Sequence, residues 1–413
     1  MTDHECITHQ EVTMFIRHFA TALVALLFTT ATAAPAWQAS WLAAPQPSWH
    51  APFALPTNVP AAVDGQTVRE TLRLSTGGAR LRIVLSNRYG SAPLRVGALR
   101  VARQADPAGS RPLTFAGQAG VTIPPGQDAV TDPLDFATSP LERLMVSAWY
   151  PGRAPLTTFH WGAQQTGRIA AGNATAAASL AGARALTGRA FVSAVHVDGG
   201  RGTVVAFGDS ITDGNGSTPE RDRRWPDRLA ERLAGDGVAV ANAGISGARL
   251  LSAKMGDKAL ARFEHDVLDQ PGVTAVVVAI GINDIGWPGS AFAPHDAAMT
   301  AQRMIDGYRA LIAAARARKV RIIGATLLPF RGALADTPFH GYYKPAKEAV
   351  RQQVNRWIRE GGEFDAVADF DVALRDPRDP ARLLPRYDSG DHLHPGDAGY
   401  AAMAETAAKA LAR

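Results

Sequence analysis

Five apolar runs, at residues 203–207, 238–242, 274–280, 321–327 and 366–370, punctuate the second half of this 413-residue chain. Segments of helical period lie between them. Trp225, Leu229 and Leu233 recur at spacing four, and Val350, Val354, Trp357 and Ile358 continue the pattern further on. Short apolar strands alternating with amphipathic helices predict βαβ units, hence a five-stranded parallel sheet covered by helices on both faces. In such sheets ligands bind beyond the carboxyl ends of the strands. The loop after each strand is therefore where chemistry is expected.

The first half has another rhythm. Residues 67–74, 79–85, 94–101, 120–123 and 144–150 alternate apolar and polar side chains, with turn signals such as "STGG", "SNRYGSAP" and "IPPGQD" between runs. Period two with frequent punctuation predicts an all-β, jelly-roll-like antiparallel sandwich, and no helix is expected there. The "GGRG" at 199–202 marks the change. The expected organisation is a leader and secretory signal over 1–34, a β-sandwich domain over 35–199, and an α/β domain over 200–413.

The leader reading rests on "MFIRHFATALVALLFTTATAAPAW": Arg17 and His18, a short apolar core from Phe19 to Phe28, then Ala31-Thr32-Ala33 as a cleavage site. That core is too short to span a bilayer. Residues 1–13 are polar and sit awkwardly before it, so Met14 competes with Met1 as the start. The single cysteine, Cys6, falls in the leader. The mature chain is thus expected to be exported, to the periplasm or beyond, without disulfide, thiol chemistry or lipid anchor. A hydrophobic content of 46% supports ordinary cores, and the net charge of +5 comes from scattered single arginines rather than a basic block. That pattern argues against nucleic-acid binding.

Four clusters fall on the expected ligand edge. "GDSITDG" follows the first strand and holds Asp209, Ser210 and Asp213. "NAGISGARLL" follows the second, with Asn242 and Gly247; "IGINDIGWPG" follows the third, with Asn283, Asp284 and Trp287. "YDSGDHLHPGDAGY" lies in the terminal loop, with Asp391, His392 and His394. An aspartate three residues before a histidine can accept from Nδ1 and leave Nε2 facing outward. A glycine amide and an asparagine amide can hold an oxyanion, and a serine at a sharp strand end can act as nucleophile. Each cluster alone is ordinary turn chemistry; the ordered set is not.

Together the four blocks resemble those of the SGNH hydrolases, the GDSL esterase/lipase family, with Ile211 where the name-giving motif has leucine. The resemblance covers about residues 202–413. It implies a flavodoxin-like α/β/α sandwich, Ser210 as nucleophile, and Asp391 and His394 completing a triad. It also implies an oxyanion hole of the Ser210 and Gly247 amides with the Asn283 side chain, and no cofactor. "RRWPDRLAERL" and "GINDIG" further resemble secreted bacterial xylan-associated esterases, which implies removal of acetyl groups from carbohydrate. The alternatives are a broader lipase or arylesterase, and a spent hydrolase that binds polysaccharide. An α/β-hydrolase is set aside because no G-x-S-x-G occurs in the chain.

The remaining polar residues take plainer roles. Asp209, Asp213 and Asp284 are expected to bond turn amides, and Asn242 to pin backbone between strand ends. No histidine or carboxylate set has the spacing of metal ligands, so no metal is expected. His392 is read as exposed, and His265, His295 and His340 as surface or loop histidines. Trp287, Trp225 and Tyr387 are candidates either to stack on a sugar ring or to pack in the core or at the rim. The partner expected is an ester, in the narrower reading an acylated glycan; the oligomeric state is not readable.

Overall fold

The computed structural model describes residues 37–49, 53 and 55–413. The expected signal segment, Cys6 and both candidate start methionines lie outside them. From Trp37 onward the described residues belong to one compact unit with two hydrophobic cores.

The α/β half contains a five-stranded, wholly parallel sheet. Its spatial order is Ala239–Gly244, Thr203–Gly208, Val273–Ala279, Arg321–Ala325, Ala366–Ala368. In chain order that is 2-1-3-4-5, the doubly wound arrangement whose ligand crevice opens where the strand order reverses. The reversal lies at Thr203–Gly208, flanked by the second and third strands. The helices form where the period predicted them: Trp225–Leu233 buries Trp225 and Leu229, and Pro345–Glu360 buries Val354 and Ile358. The fifth strand is shorter than expected, because Asp369 caps a helix over Phe370–Leu374 by accepting from the Val372 amide.

The β half has no helix among its described residues. One antiparallel sheet joins Trp37–Leu42, Val192–Asp198, Gly78–Ser86 and Asp128–Val130, with Leu134–Thr138 also on Gly78–Ser86. The other has six strands centred on Gln66–Arg73 and Arg143–Tyr150. Alternate residues of both sheets, among them Leu72, Leu81, Ile83, Leu144, Val146, Val195 and Val197, meet in a common core. The run expected as one strand over 94–101 is two, Leu94–Val96 and Ala98–Arg103. Gly97 separates them, packed so closely on Trp149 that a Cβ would stand 2.6 Å from its ring.

The halves interlock through backbone. The Ala39 amide donates to Thr203 Oγ1 at 3.1 Å, and the Val240 amide donates to Ser75 Oγ at 2.9 Å. Trp37–Leu42 pairs with Val192–Asp198, so the start of the β half lies beside the strand that hands the chain to the parallel sheet.

Candidate active site

Strand Thr203–Gly208 ends against a backbone that leaves no room for a side chain. A Cβ on Gly208 would stand 2.0 Å from Thr212 Oγ1 and 2.6 Å from the Ala279 carbonyl oxygen. The chain then turns into the short helix Ser210–Asp213, with Asp209 as its cap, accepting from the Ile211 amide at 3.0 Å. As the first helical residue, Ser210 has an N–H with no intrahelical acceptor.

His394 comes from the loop after the sheet, with Nε2 2.8 Å from Ser210 Oγ and Nδ1 2.5 Å from Asp391 Oδ2. The other Asp391 oxygen accepts from the Leu393 and His394 amides at 2.9 and 2.8 Å. Burial works to raise the Asp391 carboxyl, but the His394 hydrogen bond and charge, with the two amides, hold it well below the usual carboxylate range. A permanently ionised Asp391 keeps the proton on Nδ1, so Nε2 meets the serine hydroxyl as an acceptor.

Ser210, His394, Gly247 and Asn283 line one pocket of about 80 Å³. Gly247 sits at φ +74°, and a Cβ there would meet Met255 Sδ at 2.5 Å. Asn283 begins its approach from the helix Ile282–Gly286, after the third strand. Its Oδ1 accepts from Trp287 Nε1 at 3.0 Å and from the Tyr342 hydroxyl at 2.7 Å, while Nδ2 donates to the Ala248 carbonyl at 3.0 Å. Two donors on the oxygen fix which way the amide faces. One N–H of Nδ2 remains beyond the Ala248 bond.

The supporting carboxylates bond turn amides. Asp284 accepts from the Leu250 and Leu251 amides at 2.6 and 3.0 Å. Asp213 takes the Ser246 amide at 3.0 Å and its hydroxyl at 2.6 Å on one oxygen. Asn242 bridges the Thr212 carbonyl and the Gly244 amide, both at 2.9 Å. Burial pushes the Asp209 carboxyl up to about 7 and that of Asp284 up to about 6. Neither lines the pocket.

For the aromatic residues the structure chooses among the readings left open, and for one histidine it departs from expectation. Trp225 is fully buried and donates to Thr212 Oγ1 at 3.3 Å, so it belongs to the core. Trp287 does line the pocket, but only 2% of it is exposed. Its ring stacks on Phe292 at 5.0 Å and lies under the Arg249 guanidinium at 4.9 Å, which makes it a wall and a brace for Asn283. Tyr387 is half-buried under its neighbour Arg386 and is not among the pocket's lining residues. His295 and His340 are exposed, and His392 pairs with Asp388 at a 44%-exposed side chain. His265 departs from expectation: it bridges Asp128 of the β half at 3.0 Å and Asp266 at 2.7 Å. Asp266 in turn holds buried Arg262, which donates to the carbonyls of Ala243 and Gly208 at the ends of the first two strands.

The sequence reading also missed what the β half contributes. His160, buried at the end of strand Thr158–His160, places Nε2 3.0 Å from Asp213 Oδ1 and Nδ1 3.0 Å from the Ala44 carbonyl. Leu55 and Trp161 line the pocket beside Ser210. No local pattern flags them: a single histidine in "TFHWG" is indistinguishable from a core residue until the two halves are docked.

Residues 206–402 match the GDSL-like Lipase/Acylhydrolase family model. No curated protein matches the chain. Among solved structures, an acetyl xylan esterase is 22% identical over 51% of this chain and 99% of its own, with a TM-score of 0.37. A GDSL-like lipase from Bacteroides thetaiotaomicron is 20% identical over 51% of this chain and 88% of its own, with a TM-score of 0.35. A variant of an acetyl-xylooligosaccharide esterase from a Geobacillus is 21% identical over 52% of this chain and 96% of its own, with a TM-score of 0.36. Residues 206–402, a GDSL-like lipase/acylhydrolase domain by that match, carry Ser210, Gly247, Asn283, Asp391 and His394.

Proposed function

We propose that this protein is an exported serine ester hydrolase that removes acetyl or other short acyl groups from carbohydrate. The observation that carries the hydrolase reading is the unbroken relay from Asp391 through His394 to Ser210, with 2.5 and 2.8 Å between partners. His394 Nε2 takes the Ser210 proton as the hydroxyl oxygen attacks the ester carbonyl. The Ser210 and Gly247 amides and the free Asn283 N–H stabilise the resulting oxyanion. The alcohol leaves with the proton from His394, and water then repeats the sequence on the acyl-serine, releasing the acid and restoring the serine. No cofactor takes part in this scheme.

Pocket size supports a short acyl group. A long acyl chain gains about 0.8 kcal/mol for each methylene it buries, which requires an extended apolar channel. The catalytic pocket, at about 80 Å³, is lined on its apolar side by Leu55, Trp161, Phe292, Leu334 and Tyr342. The deciding experiment compares p-nitrophenyl acetate, octanoate and palmitate under matched soluble conditions, together with acetate release from O-acetylated xylan. A steep preference for acetate, with acetate released from xylan, is the expected result. Faster cleavage of palmitate would replace this reading with a lipase. A folded protein that binds xylan and cleaves none of these would be a spent hydrolase.

A further inference from the structure

Trp161 and Asn215 each line two pockets. One is the catalytic pocket; the other is a larger cleft of about 310 Å³ between the β half and the loop after Ser210. That volume is at the lower end of ligand sites, which run from about 300 to 1,000 Å³. We propose that this cleft is the subsite for the alcohol half of the ester, and that it takes a neutral, polyhydroxylated alcohol, a glycan unit. The proposal rests on the ester-hydrolase reading above and assigns the β half a direct part in substrate choice.

Its chemistry is that of sugar recognition. The lining holds a group of amide and hydroxyl side chains: Asn58, Gln164, Thr166 and Thr187 from the β half, with Asn215 from the α/β half. These groups offer both donors and acceptors, as a ring of hydroxyls requires. Gln165 also lines the cleft, and its buried Oε1 has no hydrogen-bond partner among the described residues. The half-buried Trp161 adds an aromatic surface at the junction of the two pockets.

Charge narrows the ligand further. Among the described residues no lysine or arginine lines the cleft, and the one carboxylate there, Glu220, accepts from the Thr166 amide at 2.6 Å. A phosphate or uronate would find no cation to offset its charge. A lipid alcohol would leave the Asn58, Gln164, Thr166, Thr187 and Asn215 side chains without hydrogen-bond partners from the ligand. A neutral glycan meets neither obstacle.

Two obstructing variants test this from opposite walls. Thr187→Trp fills the cleft from the β half, and Pro219→Trp from the α/β half; both positions are exposed. For each, kcat/KM is measured on acetylated xylo-oligosaccharides and on p-nitrophenyl acetate. Binding of unacetylated xylotetraose to the Ser210→Ala protein, with and without each obstruction, is followed by NMR. The expected result is a fall of tenfold or more in the ratio of oligosaccharide to aryl-ester kcat/KM, carried by KM, and loss of xylotetraose binding. An unchanged ratio, equal loss on both substrates, or xylotetraose binding indifferent to both obstructions would overturn the subsite. Failure of the unmodified protein on every ester would instead overturn the hydrolase reading, and this proposal with it.

Discussion

The two halves reach the same site by different routes. The α/β half builds its share from loops at the carboxyl ends of parallel strands, where the fold leaves backbone amides and short turns free to hold chemistry. The β half has a separate core and sends in side chains from a strand end and the loop after it: His160 onto Asp213, and Trp161 onto the pocket wall. One half carries the proposed reacting groups, while the other buttresses Asp213 and bounds the pocket. The stretch that carries the motifs is therefore smaller than the unit that builds the pocket.

The largest expected effect lies wholly within the α/β half. Ser210→Ala should lower ester turnover by about 10⁴-fold or more with the fold intact, since only a hydroxyl is lost. Near-normal turnover by the folded variant would remove the catalytic assignment. His394→Ala should be comparably damaging, because it removes the base that takes the serine proton. Next comes Asn283→Ala, expected to cost about 10²–10³ in kcat, roughly 3 kcal/mol. A rise in KM at constant kcat would make Asn283 a substrate-binding residue only.

Crossing to the β half tests whether the comparison holds. His160→Ala removes one partner of the buried Asp213 carboxylate, and losing a hydrogen bond to a charged group typically costs about 1.5–3 kcal/mol. Lower thermal stability should accompany a fall in kcat, because the same Asp213 holds the Ser246 amide beside the Gly247 loop. A stability loss with kcat untouched would confine His160 to a structural role and weaken the claim that the β half positions the site.

The smallest expected effect is on the His265 strut. Burial alone would lower its pKa, but the hydrogen bonds it donates to Asp128 and Asp266 win and raise it to about 9. Because the folded value lies above the free-histidine value of about 6.5, the stabilisation is fully present below about 6.5 and lost as pH rises through 9. Allowing for a partly exposed ring, it is on the order of 2 kcal/mol. Denaturant unfolding from pH 6 to 10 should show this decline in the wild type and much less of it in His265→Gln. Equal slopes would remove His265 as a link between the halves.

Legibility followed locality. The five parallel strands and two of the helices could be read because their periodicity is internal to each segment. Strand Asp106–Leu113 could not, since "DPAGSRPL" carries turn residues and pairs only at the edge of its sheet. The same distinction runs through the site. Asp391 and His394 are three residues apart, so their pairing is a property of one turn. Asn283 was readable as a donor, yet the Trp287 and Tyr342 bonds that aim it were not.

Local pattern alone specified a parallel sheet covered on both faces and put serine, asparagine, aspartate and histidine at its carboxyl edge, because strand period and turn chemistry act over a few residues. Only the tertiary structure decided that His160 reaches Asp213 across 53 positions and that His265 reaches Asp128 across 137. It also decided that Trp225 and Trp287 are packed away rather than offered to a sugar. Such contacts depend on how two separately cored halves dock, and docking is set by surfaces assembled from distant segments. No short stretch of chain encodes them.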